Sequence, residues 1–345
     1  MKVGIVGHYA RNFDFFDGQT VKTRNLYNAL IKIYGEDEVF LVDTYNYRKH
    51  PFKLIKNCLA CARECENIIL LPARNGIKVF IPFFAKLKKK YKFKLFYDVI
   101  GGWLPEFVES KQFLKNPLKK VDNIYVETTG MKNKLAKIGV FNVKVLYNFK
   151  DLKPINISEI EDKDYSKLKL CTFSRVVKEK GIENAINIVK IVNDKLKFPY
   201  CSLDIYGEIS EKYRKEFMTL IENSPDYIKY KGVKKAEESV KTLKKYDFLL
   251  FPTYYDGEGL AGTIIDAFSS SVPVLASRWR YNGEIVKNKR NGFLFDVRDD
   301  EQAAKIIINI YNHKYDIYTM RKNCVNCAKN YTEQEVIRKL IKDFK

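Results

Sequence analysis

Histidine is scarce in this chain, three residues in 345, and no stretch is both long and apolar enough to span a bilayer. The N-terminus, Met1-Lys-Val-Gly-Ile-Val, reads directly as a strand with no apolar signal region behind a charged start, so a cytoplasmic chain is expected. Seven cysteines is an odd count, which does not suit a disulfide framework. Cys58, Cys61 and Cys65 fall at spacings of three and four and share one helix face. No histidine stands near the C-x-x-C pairs Cys58/Cys61 and Cys324/Cys327 to complete a zinc site, so reduced thiols and no metal are expected. Neither a G-x-x-x-x-G-K-[ST] phosphate loop nor a G-x-G-x-x-G fingerprint is present. No short period marks a repeat array, and no recognised nucleic-acid module is visible.

Basic residues, by contrast, are in excess. Lys and Arg number 62 against 42 Asp and Glu, a net charge of +20, which draws the chain toward polyanions: nucleic acid, anionic lipid head groups or phosphorylated substrates. Lys86-Leu-Lys-Lys-Lys90 and Lys119-Lys120 place part of that charge in the N-terminal half, where it suits an anionic membrane surface.

Apolar runs at Val3 to Val6, Val39 to Val42, Ile68 to Leu71, Leu95 to Val99, Ile124 to Val126 and Val143 to Leu146 alternate with helical patterns. The rhythm predicts a parallel sheet covered on both faces. Lys150 to Lys169, with Pro154 and a run of charged residues, reads as a linker. The rhythm then resumes at Leu168 to Phe173, Ser202 to Tyr206, Ile228 to Tyr230, Phe248 to Phe251, Pro273 to Ala276 and Gly292 to Phe295. Two doubly wound α/β domains are expected, 1–150 and 151–331, with a helix over 332–345 packing back on the first.

In open α/β sheets ligands bind beyond the carboxyl ends of strands. After the run Phe248 to Phe251 comes a Gly-bracketed loop with Glu258 before it and Asp266 eight positions on. There a strand hands over to a helix, whose first N–H groups lack intrahelical partners and suit a diphosphate. Gly259 and Gly262 allow close backbone approach, and two carboxylates are natural acceptors for sugar hydroxyls. After Phe173, the cationic loop Ser174-Arg-Val-Val-Lys-Glu-Lys-Gly181 offers Arg175 as a planar fork and Lys180 as a point charge, with Lys178 solvated. Gly207, ending one strand, and Val233, beyond the next, are placed to frame a flat base. Gly18 opens a helix, and Gly101-Gly102-Trp103 sets an aromatic platform beside pliable backbone.

These segments together resemble the family-four retaining glycosyltransferases of the GT-B fold, two Rossmann-like domains facing across a cleft, and within them the bacterial branch acting in capsular, exopolysaccharide and lipopolysaccharide assembly. The likeness covers nearly the whole chain and is strongest at Gly18-Gln-Thr-Val-Lys-Thr-Arg-Asn, Gly101-Gly-Trp-Leu-Pro-Glu, Val126-Glu-Thr-Thr-Gly-Met-Lys, the 174–181 loop and the acidic motif. The resemblance implies a hexosyl transfer from a nucleotide sugar, UDP- or GDP-linked, to a lipid-linked or oligosaccharide acceptor, with retention and without a divalent metal or other cofactor. Arg175 and Lys180 would bind the donor diphosphate and neutralise the leaving group, and Glu258 would hold hydroxyls of the transferred sugar. The backbone of Leu260, Ala261, Gly262 and Thr263 would meet the phosphates, Asp266 the ribose, and Gly18 would close over the donor. Gly101, Gly102 and Trp103 would lie toward the acceptor. The protein would work in the cytoplasm, peripherally on the inner membrane face.

Two positions depart from the family pattern. Asp266 stands where Glu is usual, and Gly101-Gly102 stand where many relatives carry a His, a contact for which His8 is a poor substitute. The competing readings are a nucleotide-sugar epimerase of the same fold and a basic nucleic-acid-binding protein. Against the latter, the aromatics are spread through the strands and not gathered on one sheet face, so no nucleic-acid partner is expected.

Overall fold

The computed structural model describes residues 1–11, 18–47, 49–149 and 153–344, with Ala236 described by its backbone alone. Among these, twelve short apolar segments form two six-stranded parallel sheets. The first holds β1 (Val3–Gly7), β2 (Val39–Asp43), β3 (Asn67–Leu71), β4 (Lys94–Asp98), β5 (Asn123–Val126) and β6 (Val143–Val145), in the order β2-β1-β3-β4-β5-β6. The second holds β7 (Leu168–Phe173), β8 (Cys201–Tyr206), β9 (Ile228–Tyr230), β10 (Phe248–Phe251), β11 (Val274–Ser277) and β12 (Gly292–Phe295), in the order β12-β11-β10-β7-β8-β9. Strands such as β1, β3 and β10 are buried at every residue, as strands covered by helices on both faces must be. The doubly wound α/β fold expected from the sequence is the one observed.

The chain forms two compact units, residues 1–151 with 333–345, and residues 152–332. In the first, helix Glu333–Ile341 sends Val336, Ile337 and Leu340 into the core built on Val3, Ile5, Leu26 and Ile69. Asp343 beyond it accepts a hydrogen bond from the Tyr125 hydroxyl at 2.7 Å. The second unit has its own core around Leu170, Val189, Leu203, Leu250 and Ile307.

The linker reading of Lys150 to Lys169 is corrected by the structure. Lys150 and its next two neighbours lie outside the described residues, but from Ile155 on the segment is laced to the second unit. Ile155 N–H donates to the Ser269 carbonyl at 3.0 Å, Lys163 pairs with Asp247 at 3.0 Å, Arg321 donates to the Glu161 carbonyl at 2.9 Å, and Ile160 is buried. Polar composition marked the segment as the linker but could not show these anchors, which are long-range and leave no local pattern.

The cysteines are all free thiols, and Cys58, Cys61 and Cys65 are buried along helix Pro51–Glu64 and its C-cap. Burial pushes the Cys58 thiol up to about 12. Among the described residues no three His, Cys, Asp or Glu side chains are grouped to hold a metal ion, and no helix is long and apolar enough to cross a membrane.

The first unit also buries a charge that the sequence reading passed over. Lys22, on helix Gly18–Tyr34, is 2 % exposed. Its ammonium lies 2.8 Å from Asp98 at the end of β4 and 3.5 Å from Glu127 just past β5, and donates to the Val99 carbonyl at 2.8 Å. Burial alone would lower its pKa; the two carboxylates overcome that and hold it above the ordinary range, so it stays charged.

Candidate functional site

In the second unit β7 and β10 are neighbours, yet the chain runs from β7 toward β8 on one side and from β10 toward β11 on the other. Such a reversal opens a crevice at the strands' carboxyl ends. The loop after β7 carries Arg175 and Lys180, the loop after β10 carries Glu258, and the sheet order brings the two together.

At the centre Lys180 Nζ lies 2.6 Å from Glu258 Oε2, with the two side chains only 10 % and 8 % exposed. The same carboxylate oxygen accepts from the Thr253 hydroxyl at 2.9 Å. Tyr255 forms a wall: its ring stands 5.2 Å from Lys180 Nζ and 5.7 Å from the Arg175 guanidinium carbon, within cation–π range. The wall is braced from behind. The Trp279 indole N–H donates to the Tyr255 carbonyl at 2.8 Å and the Ser277 hydroxyl to the Thr253 carbonyl at 2.5 Å.

Lys180 reaches Glu258 because Gly181 turns the chain there. Gly181 has φ +73°, and a Cβ on it would meet the Pro252 carbonyl oxygen at 2.2 Å. Only glycine permits both the left-handed turn and this approach of one loop to the end of β10. Gly181→Ala is therefore expected to cost at least about 2 kcal/mol from backbone strain and collision together, read as a lower denaturation midpoint; an unchanged midpoint would mean the loop is not held in this way.

Below the pair, helix Gly262–Ser269 begins with Ala261 as N-cap, a residue with no side-chain capping bond. Thr263 Oγ1 is buried there with no hydrogen-bond partner among the described residues. Uncapped N–H groups and an unsatisfied hydroxyl at a helix start suit an anionic ligand. Asp266, the fifth residue of that helix, is 2 % exposed. Lys178 is exposed and paired with Glu216 at 2.8 Å and Glu183 at 3.4 Å, away from Glu258. Gly207, at φ +139°, ends β8 against the Ser174 carbonyl, which a Cβ would meet at 1.8 Å. Val233 lies just beyond β9 and is 54 % exposed.

The first unit has its own order reversal, between β1 and β3. A cleft of about 590 Å³ opens there, lined by His8 after β1, by Tyr45, Tyr47 and Lys49 after β2, and by Arg74 and Asn75 after β3. His8 Nδ1 shares a hydrogen bond with the Thr20 hydroxyl at 2.7 Å, and its ring meets Tyr45 edge-on at 5.5 Å. Gly18 is the exposed first residue of helix Gly18–Tyr34, and a Cβ on it would touch nothing within 4 Å. Gly101, at φ +77°, and buried Gly102 lead into Trp103, whose indole N–H donates to the Ile100 carbonyl at 2.7 Å. The Trp103 ring packs edge-on against Phe107 at 5.4 Å, and Arg74 lies 5.1 Å over that same Phe107 ring. Trp103 thus borders the cleft's Arg74 side through Phe107 and is not itself in the cleft lining.

Sequence reasoning gave no role to Thr253 or Tyr255 and, apart from weighing His8, passed over the first-unit cleft. The position of Thr253 and Tyr255 directly after an apolar strand was a usable signal; the cleft residues come from three separate loops and share none.

A family model for glycosyl transferases group 1 matches residues 155–331. The uncharacterized glycosyltransferase MJ1069 of Methanocaldococcus jannaschii is 25% identical over 272 residues, 76% of this chain and 64% of that protein. The GtfA subunit of the UDP-N-acetylglucosamine–peptide N-acetylglucosaminyltransferase of Streptococcus agalactiae is 25% identical over 207 residues, 55% of this chain and 39% of that one. The chain thus spans less than two thirds of the length of either. Among solved structures, Anabaena Alr3699/HepE in complex with UDP matches with a TM-score of 0.76 at 16% identity, covering 99% of both chains, a likeness of fold.

Proposed function

Because the chain belongs to the group 1 glycosyl transferases and carries the two-domain α/β architecture of GT-B structures, we propose that it moves a hexosyl-type sugar from a UDP- or GDP-linked donor to a lipid-linked oligosaccharide, with retention at the anomeric carbon, in cell-surface polysaccharide assembly. The observation that carries this reading is the buried Lys180–Glu258 pair beside Arg175 and the uncapped helix start at the β7/β10 crevice. A leaving nucleoside diphosphate needs its developing charge met at the moment the glycosidic bond breaks. Lys180 and Arg175 supply cations for it, the Lys180 ammonium worth more where its side chain is only 10 % exposed than it would be in solution. Glu258, held by Lys180 and Thr253, presents its carboxylate to sugar hydroxyls, and the backbone from Leu260 to Thr263 approaches the phosphates. The net charge of +20 supports work on the inner face of a cytoplasmic membrane, with the polyanionic surface as a partner.

The test is a panel of nucleotides and nucleotide sugars screened by thermal shift, followed by transfer assays in which the anomeric configuration of the product is read by NMR. Nucleoside diphosphates and one nucleotide sugar are expected to raise the melting temperature, and the product to keep the donor's configuration. Inversion would reject the retaining mechanism, and absence of any nucleotide effect would reject the donor site. Because the proposed charge stabilisers are side chains, transfer is expected to persist in excess EDTA; complete loss restored by Mg²⁺ or Mn²⁺ would overturn that part. The streptococcal relative is named for a peptide acceptor, so peptide and lipid-linked acceptors are assayed side by side.

A further inference from the structure

The second unit holds a further cleft, of about 570 Å³, beside the donor crevice. Of the crevice's residues it takes only Tyr255 and the brace behind it, Trp279; Arg175, Lys180 and Glu258 do not line it. Its other walls include Glu179, Tyr254 and Asp256 after β10, and Arg298 after β12.

These residues are fixed through backbone or ring, and their polar heads are left unengaged. The Glu179 carbonyl accepts from the Tyr254 N–H at 2.8 Å, and the Asp256 carbonyl from Arg280 Nε at 2.6 Å. Neither carboxylate has a hydrogen bond or ion pair among the described residues. The Arg298 guanidinium carbon stands 4.3 Å from the centre of the Tyr254 ring, and its N–H groups have no acceptor among the described residues. Trp279 gives its N–H to the Tyr255 carbonyl, yet its indole meets no other ring or cation among them. One unpaired carboxylate on a surface is ordinary. Two that converge with a guanidinium on an uncovered indole make the wall of a binding site, and the volume lies in the range of small-ligand sites, about 300–1,000 Å³. The backbone points the same way: Arg280 and Arg298, in the loops after β11 and β12, stand at φ +44° and +62°. Left-handed conformations in non-glycine residues are costly and gather at ligand clamps.

We propose that this cleft holds one neutral pyranose ring, its C–H face on the Trp279 indole and its hydroxyls among Glu179, Asp256 and Arg298. A pyranose carries C–H groups on its faces and hydroxyls around its edge, which matches an aromatic surface flanked by two acceptors and a donor fork. Two carboxylates against one guanidinium oppose an anionic sugar and admit a neutral one. The site stands on its own residues; its use, to hold one sugar of a glycan while transfer takes place in the neighbouring crevice, rests on the glycosyltransferase reading above.

The chain has two tryptophans, so in Trp103→Phe the fluorescence reports Trp279 alone. That variant, with UDP saturating, is titrated with the methyl glycosides of glucose, galactose, mannose and N-acetylglucosamine and with their uronate counterparts. At least one neutral glycoside is expected to change the emission saturably, with a dissociation constant of about 1–10 mM, as suits a single small ring. The matching uronate is expected to bind about tenfold more weakly. Arg298→Gly, which relieves a left-handed residue and so does not threaten folding, is expected to weaken the glycoside by about fivefold or more. Glu179→Ala/Asp256→Ala is expected to weaken it and to erase the preference over the uronate. No saturable change with any neutral glycoside, equal binding of the uronate, or a change that survives both variants overturns the proposal. Loss of the effect in Glu258→Ala does the same, since the sugar would then sit in the donor crevice. UDP affinity is measured by calorimetry on each protein. If UDP fails to bind while a glycoside still alters the Trp279 emission, the donor reading falls and the sugar site stands; UDP binding with no glycoside effect rejects the sugar site alone.

Discussion

Lys180→Met is expected to weaken nucleoside diphosphate binding by about 30-fold, the loss of one charge-assisted contact of about 2 kcal/mol, and to reduce transfer further still, because the leaving diphosphate carries more charge in the transition state than in the bound donor. The substitution also strips Glu258 of its ion-pair partner, leaving a carboxylate 8 % exposed that still accepts a hydrogen bond from the Thr253 hydroxyl. Breaking a buried pair by removing one partner costs roughly 3 kcal/mol or more of stability. The two effects separate in the double variant Lys180→Met/Glu258→Gln, which carries no uncompensated charge: its melting temperature should recover toward that of the unaltered protein while nucleotide affinity stays low. Arg175→Ala should show the affinity loss without the stability loss, since Arg175 is exposed and stacked on Tyr255. Lys178→Ala, removing a cation engaged with Glu216 and Glu183, should leave binding near normal. If Lys178 proved dominant, or if Lys180→Met and Arg175→Ala both retained full transfer, the cationic role of the 174–181 loop would be wrong.

The strands were readable because burial on both faces demands apolar runs, and a short apolar run bounded by turn residues leaves a plain trace. Leu168–Phe173, Ile228–Tyr230, Phe248–Phe251 and Gly292–Phe295 begin and end where the pattern does. The 150–169 stretch was misread for the complementary reason: its anchors, such as Lys163 on Asp247 and the Ile155 N–H on the Ser269 carbonyl, join residues far apart in sequence. The acidic motif and the 174–181 loop were legible singly, as loops following strands. Their meeting was not, because the Lys180–Glu258 contact depends on β7 and β10 being neighbours and on Gly181 turning against Pro252. Lys22 shows the same limit: one lysine in a helical run reads as solvated until β4 and β5 bring Asp98 and Glu127 to it.

Glu258 and Asp266 should divide the donor between them, and the structure sharpens how. Glu258 holds Lys180 at 2.6 Å, so Glu258→Ala releases an ammonium that a diphosphate can take up. Affinity for free nucleoside diphosphate is expected to be unchanged or higher, whereas transfer should fall by about 100-fold or more once the carboxylate that orients the sugar is gone. Asp266→Ala is expected to act the other way, weakening nucleotide and nucleotide sugar together by about 1 to 3 kcal/mol as a hydrogen bond to a charged group is lost. Asp266→Glu keeps the carboxylate and should keep nucleotide affinity. Because the site is only 2 % exposed, the added methylene should cost about 1 kcal/mol or more of stability as its neighbours give way, a change visible in the melting temperature and not in the binding constant. Calorimetry with nucleotide and with nucleotide sugar on the three variants resolves the assignment. Loss of nucleotide binding in Glu258→Ala with retention in Asp266→Ala would reverse the two roles, and no effect of either on binding or turnover would place the donor outside the β7/β10 crevice.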